Sequence, residues 1–215
     1  DRIAVGISGG KDSIALAAGL AGLQKFIGIP FQLVGVTLDP GWNGQRTDYG
    51  PIGQMCESMG MAYHVLETEI GPIVFEAREE SNPCSLCARM RRGALHAAAK
   101  EAGCRFVALG HHKNDAAETF LMNLLAGGTL ACFSPKSYLD RRDLTLIRPL
   151  IFAQEADIAR CAERAALPVV KSRCPVDGCT NRQRTKELLA DLSAAYGPLN
   201  DKILGAMQKA GLSGW

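Results

Sequence analysis

No stretch of the chain approaches the roughly 20 consecutive apolar residues that a membrane-spanning helix needs, and no basic leader followed by an apolar core opens it. These absences lead us to expect a cytoplasmic protein with no membrane partner. Internal repeats and low-complexity tracts are also missing, which excludes a solenoid or a linker-rich array. Strong charge asymmetry is absent too: 24 Lys and Arg face 22 Asp and Glu, for a net charge of +2 and a pI near 8.2. That balance neither demands nor forbids a nucleic-acid partner, because local clustering outweighs the sum. Two familiar phosphate loops fail on spacing. In a Walker loop the first glycine would stand where Val5 is, and a Ser or Thr where Asp12 is; in the dinucleotide pattern G-x-G-x-x-G, Ser8 would have to be glycine.

What the chain does have is enough apolar material for one substantial core: 47% of its 215 residues are hydrophobic and 21% charged. We expect a single domain over 1–215, with C-terminal helices from about residue 180 as an extension of it, and a segment preceding Asp1. Apolar runs rich in β-branched residues recur at "RIAVGI", "FQLVGVTL", "AYHVLE", "FVALG" and "LPVV". Helical periodicity fills the intervals at Ile14–Phe26, Pro51–Met59, Leu86–Glu101 and Ala116–Leu125, and further helices are expected at "EADIARCAERAA", Arg182–Ala194 and Leu199–Ala210. This alternation predicts an α/β fold with a doubly wound, Rossmann-like parallel sheet covered on both faces. Ligands of such sheets bind beyond the C-terminal strand ends, where "SGGKDS", "LDPGWNG" and "GHHKNDAAET" all fall. Asp39, in the second of these, is a candidate nucleotide contact.

The stretch "GISGGKDS" joins the first strand to the first helix through two glycines, whose backbones can take positive φ and turn N–H groups toward an anion at the helix N-terminus. Ser8, Gly9, Gly10, Lys11, Asp12 and Ser13 are therefore candidate ligand-binding residues. The string S-G-G-K-D-S resembles the pyrophosphate loop of ATP pyrophosphatases, which split ATP into AMP and pyrophosphate while adenylating a carbonyl oxygen.

Eight cysteines, at positions 56, 84, 87, 104, 132, 161, 174 and 179, are many for a chain expected in the cytoplasm, and favour metal binding or thiol chemistry over a disulfide framework. Cys84 and Cys87 form a C-x-x-C pair, and Cys174 and Cys179 have four residues between them. There is no second C-x-x-C, as a zinc ribbon would require. Such a set can hold zinc, or give three thiolates to a 4Fe–4S cluster and leave one iron open. Cys56, Cys104, Cys132 and Cys161 stand in apolar surroundings and read as small core hydrophobes.

Taken in order, "SGGKDS", "PCSLCARMRRG", "ALGHHKNDAAET" and "LIRPL" resemble the iron–sulfur-dependent tRNA 2-thiocytidine synthetases and their 2-thiouridine relatives, within the ATP pyrophosphatase (PP-loop) superfamily. The resemblance implies an adenine nucleotide hydrolase-like fold, ATP with Mg²⁺, and a 4Fe–4S cluster on Cys84, Cys87 and Cys174. Cys179 lies past the usual ligand place, as a spare thiol, a sulfur relay, an alternative ligand or an ordinary loop cysteine. The implied reaction adenylates the C2 carbonyl oxygen of a cytidine in the tRNA anticodon loop, and sulfur then bonds C2 as AMP leaves with that oxygen. Asp12 and Asp115 are the implied carboxylates near magnesium, and Arg91 is assigned to orienting the base or the leaving AMP. Gly110 and His111 are candidate nucleotide contacts, although His111 and His112 read equally well as structural loop histidines. One departure stands out: the family carries Gly-His-x-x-Asp-Asp where this chain has Asn114 followed by Asp115.

Arginines crowd both cysteine segments. Arg89 and Arg92 follow the C-x-x-C pair, and Arg182 and Arg184 follow Cys179; all four are candidate tRNA contacts, since guanidinium groups bind phosphate in a bidentate manner. Lys100 and Lys186 are explained by an ordinary solvated face. The implied partners are tRNA and a sulfur donor, either sulfide or a cysteine desulfurase persulfide, and a homodimer is compatible with the sequence. Two alternatives stay open: a 2-thiouridine-forming enzyme, and a noncatalytic nucleotide- and metal-binding relative.

Overall fold

The computed structural model describes residues 1–78, 83–176, 178 and 180–215. β1 (Arg2–Gly6) runs into α1 (Lys11–Leu23), β2 (Gln32–Asp39) into α2 (Gly50–Ser58), and β3 (Ala62–Glu67) into a single turn, α3 (Ile70–Pro72), continued by a π-turn over Ile73–Ala77. Then come α4 (Pro83–Glu101), β4 (Phe106–Ala108), α5 (Lys113–Gly127), β5 (Lys136–Leu139), β6 (Leu144–Ile147), α6 (Glu155–Arg164), α7 (Asn181–Tyr196) and α8 (Leu199–Lys209).

The strands form one sheet in the order β3-β2-β1-β4-β6-β5, parallel except for the β5–β6 pair. Side-chain alternation along β1 divides the core. Val5 packs with Ile14, Leu16 and Ile52 from α1 and α2 on one face, and Ala4 packs with Leu95, Ala98 and Ala99 from α4 on the other. Because both faces are covered, β2 is buried at seven consecutive residues, as a central parallel strand should be. The doubly wound α/β fold expected from the sequence is the fold observed. On the far flank, α7 and α8 pack on α5, and Leu204 and Met207 join Ala116 and Ile151 in a separate apolar cluster.

Two strand expectations change. The run "LPVV" is not a strand: Pro168 has no N–H for a ladder, and the segment instead crosses the loop after β1, where Val170 N–H donates to the Gly9 carbonyl at 2.9 Å. The antiparallel edge strand β5 was not anticipated; a tight turn over Asp140–Arg142, closed by Asp143 at φ 48°, folds it back on β6. Among the remaining cysteines, Cys56 and Cys104 are buried as expected and Cys132 is half-buried, but Cys161 is exposed, because α6 turns Ile158 and Ala162 inward instead.

The chain winds from β1 through β2 to β3 on one side, then returns to place β4 on the other side of β1. The reversal opens a crevice at the C-terminal ends of β1 and β4. Residues 7–10 and 109–112 meet there.

Candidate functional site

The loop after β1 is held by its own serines. Ser13 Oγ donates to the Gly10 carbonyl at 2.9 Å and accepts from Ser8 N–H at 3.0 Å, while Ser8 Oγ lies 3.2 Å from it. Gly9 takes φ +88°, and a Cβ on it would press on Val170 at 3.3 Å. Gly10 is the N-cap of α1 and, as glycine, supplies no side-chain cap to the first-turn N–H groups of that helix. On the opposite wall, a Cβ on Gly110 would meet the backbone of Asp12 and Ser13 at 3.0 Å. Only glycine lets the β4–α5 loop lie this close to the start of α1.

Lys11 crosses this crevice between two carboxylates. Its Nζ is 3.0 Å from Asp12 Oδ1 and donates to Glu155 Oε1 at 3.0 Å; Glu155 also accepts from Lys186 Nζ at 2.7 Å. Burial alone would raise the Glu155 carboxyl, but hydrogen bonds from Lys186 and Lys11 hold it down at about 2. Burial likewise opposes the charge on Lys11, yet the bonds to Glu155 and Asp12 raise its pKa. Asp12 Oδ2 accepts from Lys11, whereas its Oδ1, though near the same ammonium, accepts no well-directed hydrogen bond.

The β4–α5 loop supplies a second polar cluster. His112 caps α5: its Nδ1 accepts from Asp115 N–H at 3.3 Å, and Asp115 Oδ2 accepts from His112 N–H at 3.0 Å. Its Nε2 stands 3.7 Å from Asp12 Oδ1, so the buried imidazole lies between the two aspartates. Asp115 Oδ1 accepts from Arg182 Nη1 at 2.8 Å, which leaves both oxygens of Asp115 engaged within the protein. Asn114 Oδ1 accepts from Glu155 N–H at 3.0 Å and so joins α5 to the start of α6. Burial lowers the His111 pKa to about 4, leaving a neutral ring tilted against Phe133, with the Arg148 guanidinium also 4.7 Å from the Phe133 centroid.

Next to these clusters lies a cavity of about 570 Å³ lined by Ser8, Asp12, Ser13, Gly110, His111 and Arg148, among others, with Lys11, His112, Asp115 and Glu155 outside its lining. Among the described residues, the buried side-chain polar atoms without a hydrogen-bond partner are Asp12 Oδ1, His111 Nδ1 and Arg148 Nε. All three belong to residues lining this one cavity. Asp12 Oδ1 has the Lys11 ammonium at 3.0 Å, whereas His111 Nδ1 and Arg148 Nε have no hydrogen-bond partner and invite a polar ligand to this cavity. Asp12 offers this cavity a carboxylate oxygen of the kind that coordinates magnesium.

A second cavity, of about 360 Å³, adjoins the first and contains Cys84, Cys87 and Cys174. Cys84 and Cys87 lie in the first turns of α4, and Cys174 follows the segment that crosses the Gly9 loop. Burial raises the pKa of Cys84 and Cys87, and each also feels the charge of Cys174. Among the described residues no three His, Cys, Asp or Glu side chains stand close enough to share one metal ion. Four sulfurs on one zinc would lie about 3.8 Å apart, given Zn–S bonds near 2.3 Å. Three thiols lining one cavity are the donor type that an iron–sulfur cluster takes. Cys179, and with it the expectation that it completes no compact set, lies outside the described residues. Ser8, Leu38, Ala88 and Arg91 line both cavities.

A PP-loop domain family matches residues 1–185. The tRNA-cytidine(32) 2-sulfurtransferase of Syntrophotalea carbinolica is 40% identical over 210 residues, covering 96% of this chain and 80% of the relative. The chain belongs to the tRNA-cytidine(32) 2-sulfurtransferase family. A second such relative, from Geobacter sulfurreducens, is 39% identical over 96% of this chain and 81% of its own length. In three dimensions, the U34-tRNA thiolase NcsA from Methanococcus maripaludis, solved with its [4Fe-4S] cluster, is similar with a TM-score of 0.80 at 28% identity, covering 97% of this chain and 71% of that one.

Within this sulfurtransferase-family chain the other expected residues divide by place. Arg91 and Arg92 on α4 and Arg182 on α7 line the loop cavity; Arg89 and Arg184 are exposed away from it. Asp39 is buried and accepts from Gly41 N–H and Thr47 N–H, both at 3.0 Å, which ties the loop after β2. Lys186, expected on a solvated face, is ion-paired to Glu155. Glu155, Arg148 and Phe133 were not among the expected site residues. Arg148 stands inside the "LIRPL" motif, which was the available signal for it, but no local pattern marks Glu155.

Proposed function

We propose that the chain is an ATP-dependent tRNA sulfurtransferase that replaces O2 of a cytidine with sulfur, working in the cytoplasm with sulfide as the sulfur source, supplied as such or released from a desulfurase-borne persulfide by a two-electron thiol reductant. The observation that carries this reading is the shared wall: the cavity with the orphaned polar atoms and the cavity with three thiols meet at Ser8, Leu38, Ala88 and Arg91. One accounts for ATP, the other for sulfur chemistry, and a base activated at the wall reaches both. The 40% identity to tRNA-cytidine(32) 2-sulfurtransferases supports cytidine over uridine.

In this mechanism the glycine turn and the start of α1 hold the pyrophosphate, and Lys11 neutralises it. Mg²⁺ bound at Asp12 would further offset charge on the pyrophosphate. Asp115 would have to release His112 or Arg182 to join it. The base oxygen displaces pyrophosphate from the α-phosphorus of ATP; sulfur then forms a bond to C2 as the C2–O bond breaks and AMP leaves with that oxygen. Arg91 faces the place where charge develops on the base and on AMP, and a guanidinium fork orients both. A 4Fe–4S cluster on Cys84, Cys87 and Cys174 would supply an open iron that carries sulfur. Arg92 and Arg182 lie at the loop cavity, where they meet RNA phosphate.

The test is mass analysis of tRNA nucleosides from cells lacking the gene and from the same cells complemented with it. Loss and return of 2-thiocytidine is expected. Loss of a 2-thiouridine instead would move the substrate to uridine, and an unchanged profile would overturn the enzyme reading.

A further inference from the structure

The carboxylate of Glu155 is placed by contacts that have nothing to do with its charge. Its own N–H is fixed by Asn114 Oδ1 at 3.0 Å, at the first residue of α6, and α6 packs along α1. From that anchored position the side chain accepts from Lys11 of the glycine turn and from Lys186 of α7. Lys11 and Glu155 are 144 residues apart in sequence, and Lys186 is 31 beyond Glu155. Two cations therefore share one carboxylate, and one of them is the lysine expected to meet the pyrophosphate.

Lys11 cannot give its full charge to a phosphate and keep both of its carboxylate partners. Asp12 moves with the same helix turn, but Glu155 belongs to another element and has a second cation to fall back on. We propose that Glu155 is a positioning residue that holds Lys11 in the empty loop and yields it to the incoming pyrophosphate, with Lys186 taking over the released carboxylate. This rests on the nucleotide reading of the loop given above. On this account Glu155 competes with phosphate for Lys11, and Lys186 weakens that competition by drawing off part of the negative charge.

The proposal makes the two partners of one ion pair act in opposite directions, which general damage to the fold would not do. The experiment titrates inorganic pyrophosphate, and separately AMP, into the full chain with Mg²⁺ by calorimetry, for the wild type, Glu155→Gln and Lys186→Met. Glu155→Gln should tighten pyrophosphate binding about two- to fivefold, since it removes a partly exposed anionic competitor of ordinary ion-pair strength. Lys186→Met should weaken it by a similar factor, because Glu155 then has only Lys11. AMP, which lacks the pyrophosphate, should bind all three proteins alike. Weaker or unchanged pyrophosphate binding in Glu155→Gln, or shifts of the same sign in both variants, overturns the exchange. A wild type that does not bind pyrophosphate overturns the loop reading and the exchange with it. Should Glu155→Gln fail to fold, the Lys186→Met shift alone decides, because a structural surface lysine would leave pyrophosphate affinity unmoved.

Discussion

Arg182 Nη1 donates to Asp115 Oδ1 at 2.8 Å, so the first turn of α7 clamps the first turn of α5 beside the loop cavity. The same carboxylate caps α5 through its other oxygen. Asp115→Ala removes both contacts and should destabilise the fold by about 1–2 kcal/mol, the range of a lost N-terminal cap. Arg182 is 42% exposed on its side chain, so Arg182→Ala should cost less, about 0.5 kcal/mol. In urea denaturation the double variant should lose less than the sum of the two. Strict additivity would mean that the pair contributes nothing.

Asn114 departs from the family's first aspartate, yet its oxygen does structural work in accepting from Glu155 N–H. Asn114→Asp retains that acceptor and adds negative charge at the start of α6, where the helix dipole favours it. Thermal unfolding should therefore show the Asp variant at or above the wild-type midpoint. Asn114→Ala leaves the N–H without its partner and should lose about 1 kcal/mol.

The pair of cysteines in α4 and Cys174 should behave unlike the rest. Anaerobic purification of Cys84→Ser, Cys87→Ser and Cys174→Ser should each give protein depleted of iron and acid-labile sulfide. Cys161→Ser, on an exposed helix face, should keep both and shift stability by no more than about 0.5 kcal/mol. Cys56 is fully buried in the α1–α2 core, so Cys56→Ser should retain the metal but lose about 1–3 kcal/mol for a hydroxyl placed among apolar groups.

What could be read in advance was local. S-G-G-K-D-S and C-x-x-C lie within a few residues, and strand alternation with helical periodicity marked β1 to β4 because each signal completes itself within one element. Contacts that close across the chain escaped. Glu155 looks like an ordinary first-turn acid of an amphipathic helix, and only the packing of α6 on α1 brings it to Lys11. "LPVV" has strand composition, but no neighbouring strand offers it an edge, while the Gly9 carbonyl offers a single bond. Asp39 carries a structural part that its place at a strand end did not show: the backbone N–H groups of Gly41 and Thr47 each donate to one of its oxygens.

Glu118 gives a pH signature. It is 5% exposed on α5, and burial, reinforced by Asp115, raises its carboxyl from 4.5 to about 7. The folded state then holds a proton that the unfolded chain has released, so this contribution to stability is complete below pH 4.5 and is lost as pH rises through about 7. Glu118→Gln cannot titrate. Its stability relative to wild type should improve between pH 5 and pH 8, by at most roughly 3 kcal/mol for a shift of this size. Denaturant midpoints of the two proteins at both pH values check it; parallel changes would mean that Glu118 titrates normally.

Arg91 is the residue whose loss should separate the two cavities, since it lines both and is half-buried between them. On the proposed mechanism pyrophosphate binds at the glycine turn with Lys11 and the α1 N–H groups, so Arg91→Ala should keep pyrophosphate affinity within about threefold, a change no larger than a screened ion pair. Thiolation is different, because charge that develops on the base and on AMP lies at the wall itself. Removing a preorganised donor from such a place typically costs about 10²–10³ in rate, and single-turnover thiolation of tRNA by Arg91→Ala should fall by that amount. Arg91→Lys keeps the charge but not the planar fork, so it should recover no more than about tenfold. If pyrophosphate affinity and thiolation instead fall together in Arg91→Ala, the side chain belongs to the nucleotide pocket alone, and the activated base must meet the thiol cavity by another route.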